Sequence, residues 1–105
     1  MTALPPINRL TPAECKNIIE VRSEIDAIDR VIINLLSRRF DYVREVVKYK
    51  DGTPEGIEAA DRRQQVLECR RKWAEEQGLS PDIVGDIYDR LIAYFIEEEK
   101  KIKNV

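Results

Sequence analysis

Three cations stand on what is otherwise an apolar helical seam. The rhythm Ile18, Val21, Ile25, Ile28, Ile32, Leu35, Arg39, Tyr42, Val46 alternates steps of three and four, the spacing of a heptad face. Arg39 therefore occupies a position where an apolar residue is expected. A guanidinium there is costly to bury unless an anion pairs with it. That anion is either a Glu or Asp from another helix or a ligand. Lys50 follows, about 20° round the helix and roughly 16 Å along it, so two long side chains on one face can reach opposite ends of a small dianion. Arg22 lies roughly 25 Å from Arg39 and about 100° round. One small ligand can touch both only if Arg22 comes from a second chain.

Two further residues belong with these cations. Glu99 extends the apolar face Val84, Ile87, Tyr88, Leu91, Ile92, Phe95 near the end of the last helix, in the run Glu97-Glu98-Glu99-Lys100-Lys101. Such a run ordinarily forms a solvated face, yet acid near a helix C-terminus opposes the dipole. Arg62 lies in the stripe Ala59, Arg62, Val66, Cys69, Trp73, where a structural role and a ligand contact are equally open. The chain has no histidine, which removes the commonest general base, the His-paired nucleophiles and most catalytic zinc sites. Any catalysis must use carboxylates, amines, guanidinium groups and shape, and no metal or cofactor is expected.

The elements that must position these groups are helices. Thr11-Pro12-Ala13-Glu14 reads as a capped start, with Pro12 in the first turn and Glu14 completing a capping box. No Gly or Pro intervenes before Gly52 and Pro54, so a first helix is expected from Thr11 to about Lys50. Asp51 to Glu55 reads as a flexible break, followed by a second helix from about Gly56 to Glu76. Gln77-Gly78 is a terminus, and Ser80-Pro81-Asp82 starts a third helix to about Lys103. There is no β signal and no repeat. The fold class is all-α, three helices with a very long first one. That first helix spans roughly 58 Å, whereas a compact chain of this size has a radius of gyration of only about 13 Å. The remaining residues cannot cover its seam, so an intertwined homodimer is expected.

With 105 residues the chain reads as one domain, residues 1–105, with 1–10 as a flexible N-terminal arm. A net charge of −2, with both signs interleaved, argues against a nucleic-acid binder. No apolar run reaches the roughly 18 residues of a membrane span, and no secretory leader is seen. Cys15 and Cys69 lack metal-type spacing and read as reduced, semi-buried thiols, which points to the cytoplasm. The residues alone thus lead to a helical dimer whose cations are placed to clamp a dicarboxylate.

Several segments together carry a resemblance that covers almost the whole chain. They are Thr11-Pro12-Ala13-Glu14-Cys15, Val21-Arg22, Ile25-Asp26-Ala27-Ile28-Asp29, Arg38-Arg39-Phe40-Asp41-Tyr42-Val43 and Lys72-Trp73-Ala74-Glu75-Glu76-Gln77-Gly78-Leu79. The chain resembles the all-helical chorismate mutase fold, and most closely its isochorismate pyruvate-lyase branch. The resemblance implies that Arg22 crosses into the partner's active site. It also implies that Arg39 and Lys50 bind the substrate's carboxylates and ether oxygen, and that Lys50 sits on a loop closing over the ligand. Arg62 would line the pocket. Glu99 falls where the family generally has a glutamine bonded to the ether oxygen, and a glutamate must be protonated to donate that bond.

Mutases of this class hold chorismate's ring hydroxyl with acidic and hydroxyl side chains, at positions occupied here by Ala59, Arg63 and Phe95. Ala59 and Phe95 resemble the lyase branch, and Arg63 departs from both. The implied function is therefore pericyclic loss of pyruvate from isochorismate to give salicylate, with weak mutase activity as a side reaction. The alternatives are a chorismate mutase giving prephenate, an enzyme for an aminated chorismate relative, and a non-catalytic helical dimer serving as a binding or regulatory module.

Overall fold

Two capping motifs compete for the start of the long helix, and the second one takes it. In the computed structural model, which describes residues 10–105, Pro12–Glu14 forms a single 3-10 turn. The Glu14 carboxylate accepts the Thr11 N–H at 2.9 Å, a bond that holds this carboxyl below the usual carboxylate range. The chain is extended again at Cys15. Helix α1, Ile18–Val46, begins behind Asn17. The Asn17 Oδ1 accepts the Glu20 N–H at 2.8 Å, and the Glu20 carboxylate accepts the Lys16 N–H at 2.9 Å. These bonds satisfy donors that the first helical turn would otherwise leave unpaired. The expected start at Thr11 is thus corrected to Ile18. Asn17→Ala should lower stability by about 1 kcal/mol in a urea titration, while Thr11→Ala leaves the α1 cap intact.

The described chain divides into two compact units, with the boundary inside α1 after Asp41. In the first unit the expected seam is present as a face, and Ile18, Val21, Ile25, Ile28, Ile32 and Leu35 are all exposed on the single chain. Cys15 is a free, half-buried thiol. Desolvation, reinforced by the charges of Glu20, Glu24 and Glu14, pushes it above the ordinary thiol range.

The second unit opens with the end of α1, which tightens into a 3-10 turn at Val47–Tyr49 and leaves Lys50 extended. The expected flexible break is a structured turn. Asp51 Oδ1 accepts the N–H and the hydroxyl of Thr53, and Thr53 Oγ1 accepts the Gly56 N–H at 3.0 Å, starting α2, Pro54–Glu58. The bonds from Thr53 hold the Asp51 carboxyl below its usual range. A Cβ on Gly56 would run into that same carboxylate, so the turn needs glycine there.

The expected second helix is broken. Ala59 adopts a left-handed conformation (φ 47°, ψ 59°) that ends α2, and α3, Ala60–Glu76, starts afresh. Helix α3 ends as expected at Gly78 (φ 74°), where Leu79 N–H reaches Ala74 O and Gly78 N–H reaches Glu75 O in a Schellman closure. Ser80 Oγ then caps α4, Pro81–Lys103.

Helices α2 and α3 and the Val47–Tyr49 turn all pack on α4. The core of this unit is Val47, Ile57, Val66, Ala74, Phe95 and Ile96. Two residues of the expected apolar stripes lie outside this core. Ile87 and Trp73 are exposed, and the Arg70 guanidinium lies 4.4 Å above the Trp73 ring. Cys69 is free and half-buried. Among the described residues no strand occurs, and no helix is long and apolar enough to cross a membrane. The arm expected at 1–10 lies outside the described residues except for Leu10.

Candidate active site

One acid of the run near the end of α4 is buried and the other two are not. Glu97 is exposed and Glu98 half-buried, and they pair with Lys100 and Lys101 three residues on. Glu99 is 3% exposed, the one buried charged residue among those described. Helical period explains the division: four residues separate Glu99 from Phe95, so it shares the face that α4 turns to the core.

A carboxylate held there needs a cation, and Lys50 provides it. The Lys50 Nζ lies 3.1 Å from Oε1 and 3.2 Å from Oε2 of Glu99, and it also donates to the Ile57 carbonyl at 2.8 Å. The Lys50 side chain is 20% exposed. Its ammonium has three N–H groups. The carbonyl takes one and the carboxylate shares another, which leaves a donor for a bound molecule.

The expected helical relation between Lys50 and Arg39 does not hold, because the Val47–Tyr49 turn and the extended Lys50 take this side chain off the α1 spiral. Lys50 belongs instead to the turn that leads into α2. The Ile57 carbonyl is the partner that sequence reasoning missed. A backbone acceptor leaves no residue-type signal, and its availability depends on the break at Ala59.

Ala59 and Phe95 are two of the three positions expected to read a ring hydroxyl, and Arg63 is the third. Ala59 is the left-handed residue at the helix break, and Phe95 is buried, with its ring centroid 5.0 Å from that of Tyr94. Neither side chain has a polar atom. Arg63 is half-buried and held by α4, its Nη2 2.9 Å and Nε 3.2 Å from Asp89 Oδ1. It is thus a strut between α3 and α4. Arg62 lies on the exposed side of α3, its Nη1 2.6 Å from Gln65 Oε1. Lys100 bridges to Glu58 at 3.0 Å, tying α2 to α4, and the bond to Glu58 raises the Lys100 ammonium above its ordinary value.

The other two cations of the seam lie on α1 in the first unit, Arg22 exposed and Arg39 half-buried. Both belong to one unbroken helix, so their separation along the axis is about 25 Å.

Known proteins are similar to this chain in sequence. Residues 21–100 match chorismate mutase type II. The isochorismate pyruvate lyase of Pseudomonas aeruginosa is 35% identical over 91 residues, covering 87% of this chain and 89% of that protein. The T-proteins of Enterobacter agglomerans and Haemophilus influenzae are 35% and 39% identical over 89 and 75 residues. Those matches cover 81% and 70% of this chain but only 23% and 19% of the T-proteins, so the chain corresponds to a minor part of them. The match runs through α1 and continues to Glu99 and Lys100, and it accords with an all-helical chain whose first helix is the longest. The chain belongs to the chorismate mutase type II family.

Proposed function

We propose that the protein is an isochorismate pyruvate lyase acting as a homodimer. The observation that carries this reading is the apolar character of two of the three hydroxyl-reading positions. Ala59 and Phe95 offer no side-chain partner to a ring hydroxyl, and a site without such a partner gives up affinity and discrimination for that group. The similarity to the Pseudomonas aeruginosa lyase over most of both chains supports the same choice. The family match spans both compact units, which supports reading residues 1–105 as one domain.

Two grounds support a second copy of the chain. An aliphatic face as long as that from Ile18 to Leu35 is not normally left to water by a monomer. The axial gap between Arg22 and Arg39 also keeps one chain from placing both on one small ligand, so Arg22 acts in the partner's site.

In the reaction, the ether bond between ring and enolpyruvyl group breaks while a ring hydrogen passes to the terminal methylene. Pyruvate leaves, and the ring becomes aromatic with its hydroxyl retained in salicylate. No covalent enzyme intermediate is formed. The protein's contribution is to fold the enolpyruvyl side chain over the ring and to stabilise charge on the ether oxygen as its bond breaks. Arg39, with Arg22 from the partner and Arg62, would hold the carboxylates. Lys50, its ammonium held between Ile57 O and Glu99, would donate to the ether oxygen.

Incubation with isochorismate and with chorismate in parallel tests the assignment. Salicylate fluorescence from isochorismate is the expected result. Prephenate formation alone would make the protein a chorismate mutase, the reading favoured by the family match itself. No turnover of either would leave a binding module.

Glu99 supplies a pH signature. As a carboxylate it can only accept from Lys50, and it becomes a donor to the ether oxygen only when protonated. If that donor form acts, kcat/KM rises toward acidic pH. In Glu99→Gln the amide donates at every pH, and the profile should flatten. A profile of unchanged shape in Glu99→Gln would exclude Glu99 from the ether oxygen.

A further inference from the structure

Ala59 is a backbone outlier that neither its own residue type nor its neighbour Ala60 explains. Alanine is the best helix former, and two in succession favour an unbroken helix. Left-handed φ is uncommon for any residue with a Cβ. Yet Ala59 has φ 47° and divides α2 from α3. A conformation of this kind persists only where surrounding contacts hold it, and such residues concentrate at functional sites.

The break has a local consequence. In a continuous helix the Ile57 carbonyl would accept from the N–H four residues on. With Ala59 left-handed, α3 instead begins with the Arg63 N–H bonded to the Ala59 carbonyl at 3.0 Å, and the Ile57 carbonyl accepts from Lys50 Nζ. Ile57 itself is fully buried, which anchors the carbonyl. The residue between the two, Glu58, is fastened to α4 by Lys100, one residue beyond Glu99.

We propose that Ala59 and the Glu58–Lys100 ion pair are positioning residues for Lys50: the left-handed break frees the Ile57 carbonyl to orient the ammonium, and the ion pair holds the broken segment against the helix that carries Glu99. The catalytic importance of this device rests on the lyase reading, in which Lys50 touches the ether oxygen. The geometric part stands independently of that reading. The Glu58–Lys100 pair acts without contacting the substrate.

The test uses the full-length chain and reads Lys50 directly. Treatment with the N-hydroxysuccinimide ester of acetic acid, followed by peptide mass spectrometry, gives the acetylation rate of each lysine. Exposed Lys48 and Lys101 serve as internal references. Lys50, held by two acceptors, should react about tenfold more slowly than Lys48. Ala59→Val makes the left-handed conformation still less favourable and should raise the Lys50 rate about five- to tenfold, with Lys48 unchanged. Ala59→Gly accepts that conformation freely and should keep Lys50 protected.

Should Ala59→Val fail to fold, Lys100→Met carries the test, with an expected rise of about threefold in the Lys50 rate. An unchanged Lys50 rate in folded Ala59→Val or in Lys100→Met, or equal deprotection in Ala59→Gly and Ala59→Val, overturns the proposal. In the lyase assay Lys100→Met should lower kcat with little change in KM, and a change confined to KM would contradict a role in orienting Lys50. If the wild-type chain turns over neither substrate, the lyase reading fails, and the acetylation rates still decide whether Ala59 positions Lys50.

Discussion

Replacing Lys50 by methionine is expected to lower both stability and turnover, and a second substitution should separate the two losses. Without the Lys50 ammonium, Glu99 remains on the buried face of α4 with its cation removed, and the Ile57 carbonyl loses its donor. Breaking a buried ion pair from one side costs about 3–5 kcal/mol. The Lys50 side chain retains some contact with water, which places the expected loss near the lower end, about 3 kcal/mol, readable as a shift in the urea midpoint. Removing a donor aimed at developing charge should lower kcat by about 10²- to 10³-fold. Adding Glu99→Gln removes the uncompensated charge, so Lys50→Met/Glu99→Gln should recover most of the stability. Turnover should stay low, because the proposed site then has no lysine to meet the ether oxygen. Recovery of activity together with stability would reduce Lys50 to a structural ion-pair partner.

The residues of this site were legible to different degrees, and the differences have physical causes. Position on a helical period suffices to pick out Glu99, because continuing the face through Phe95 leads directly to it. The aliphatic seam of α1 is equally plain, since its spacing is a property of local sequence. Helix α4 follows from Ser80-Pro81, where cap and first-turn residue agree. At the start of α1, two adequate capping motifs stand six residues apart, and nothing local ranks Thr11 below Asn17. The break at Ala59 ran against local preference, because Ala59-Ala60 favours helix and the competing interactions are tertiary. Those interactions join Lys50 to Ile57 and Glu99, and Glu58 to Lys100. Arg63 illustrates the same limit. Its departure from the family pattern was visible, but its partner Asp89 lies on a different helix and became evident only when α3 and α4 were packed.

Arg39→Ala should reduce kcat/KM by about 10³-fold or more while leaving the proposed dimer intact. In the proposed site this guanidinium holds a substrate carboxylate through a bidentate, charge-assisted contact, and it does so in both ground and transition states. Its loss should therefore appear in KM as well as in kcat. The alternative is that Arg39 serves the fold. Its half-buried place on α1, among aliphatic neighbours such as Leu35 and Leu36, is one where a guanidinium paired with a protein carboxylate would also be found. The two roles predict opposite effects on assembly. A structural ion pair, once broken, leaves a carboxylate stranded and should unfold or dissociate the chain. An arginine reserved for substrate leaves a smaller, apolar residue that the seam accepts. Sedimentation velocity and a urea titration, run beside the salicylate assay, distinguish them. A dimeric, stable and inactive Arg39→Ala assigns the side chain to the substrate. Loss of the dimer at unchanged protein concentration would assign it to the interface, and the cation in the seam would then be part of how two chains recognise each other.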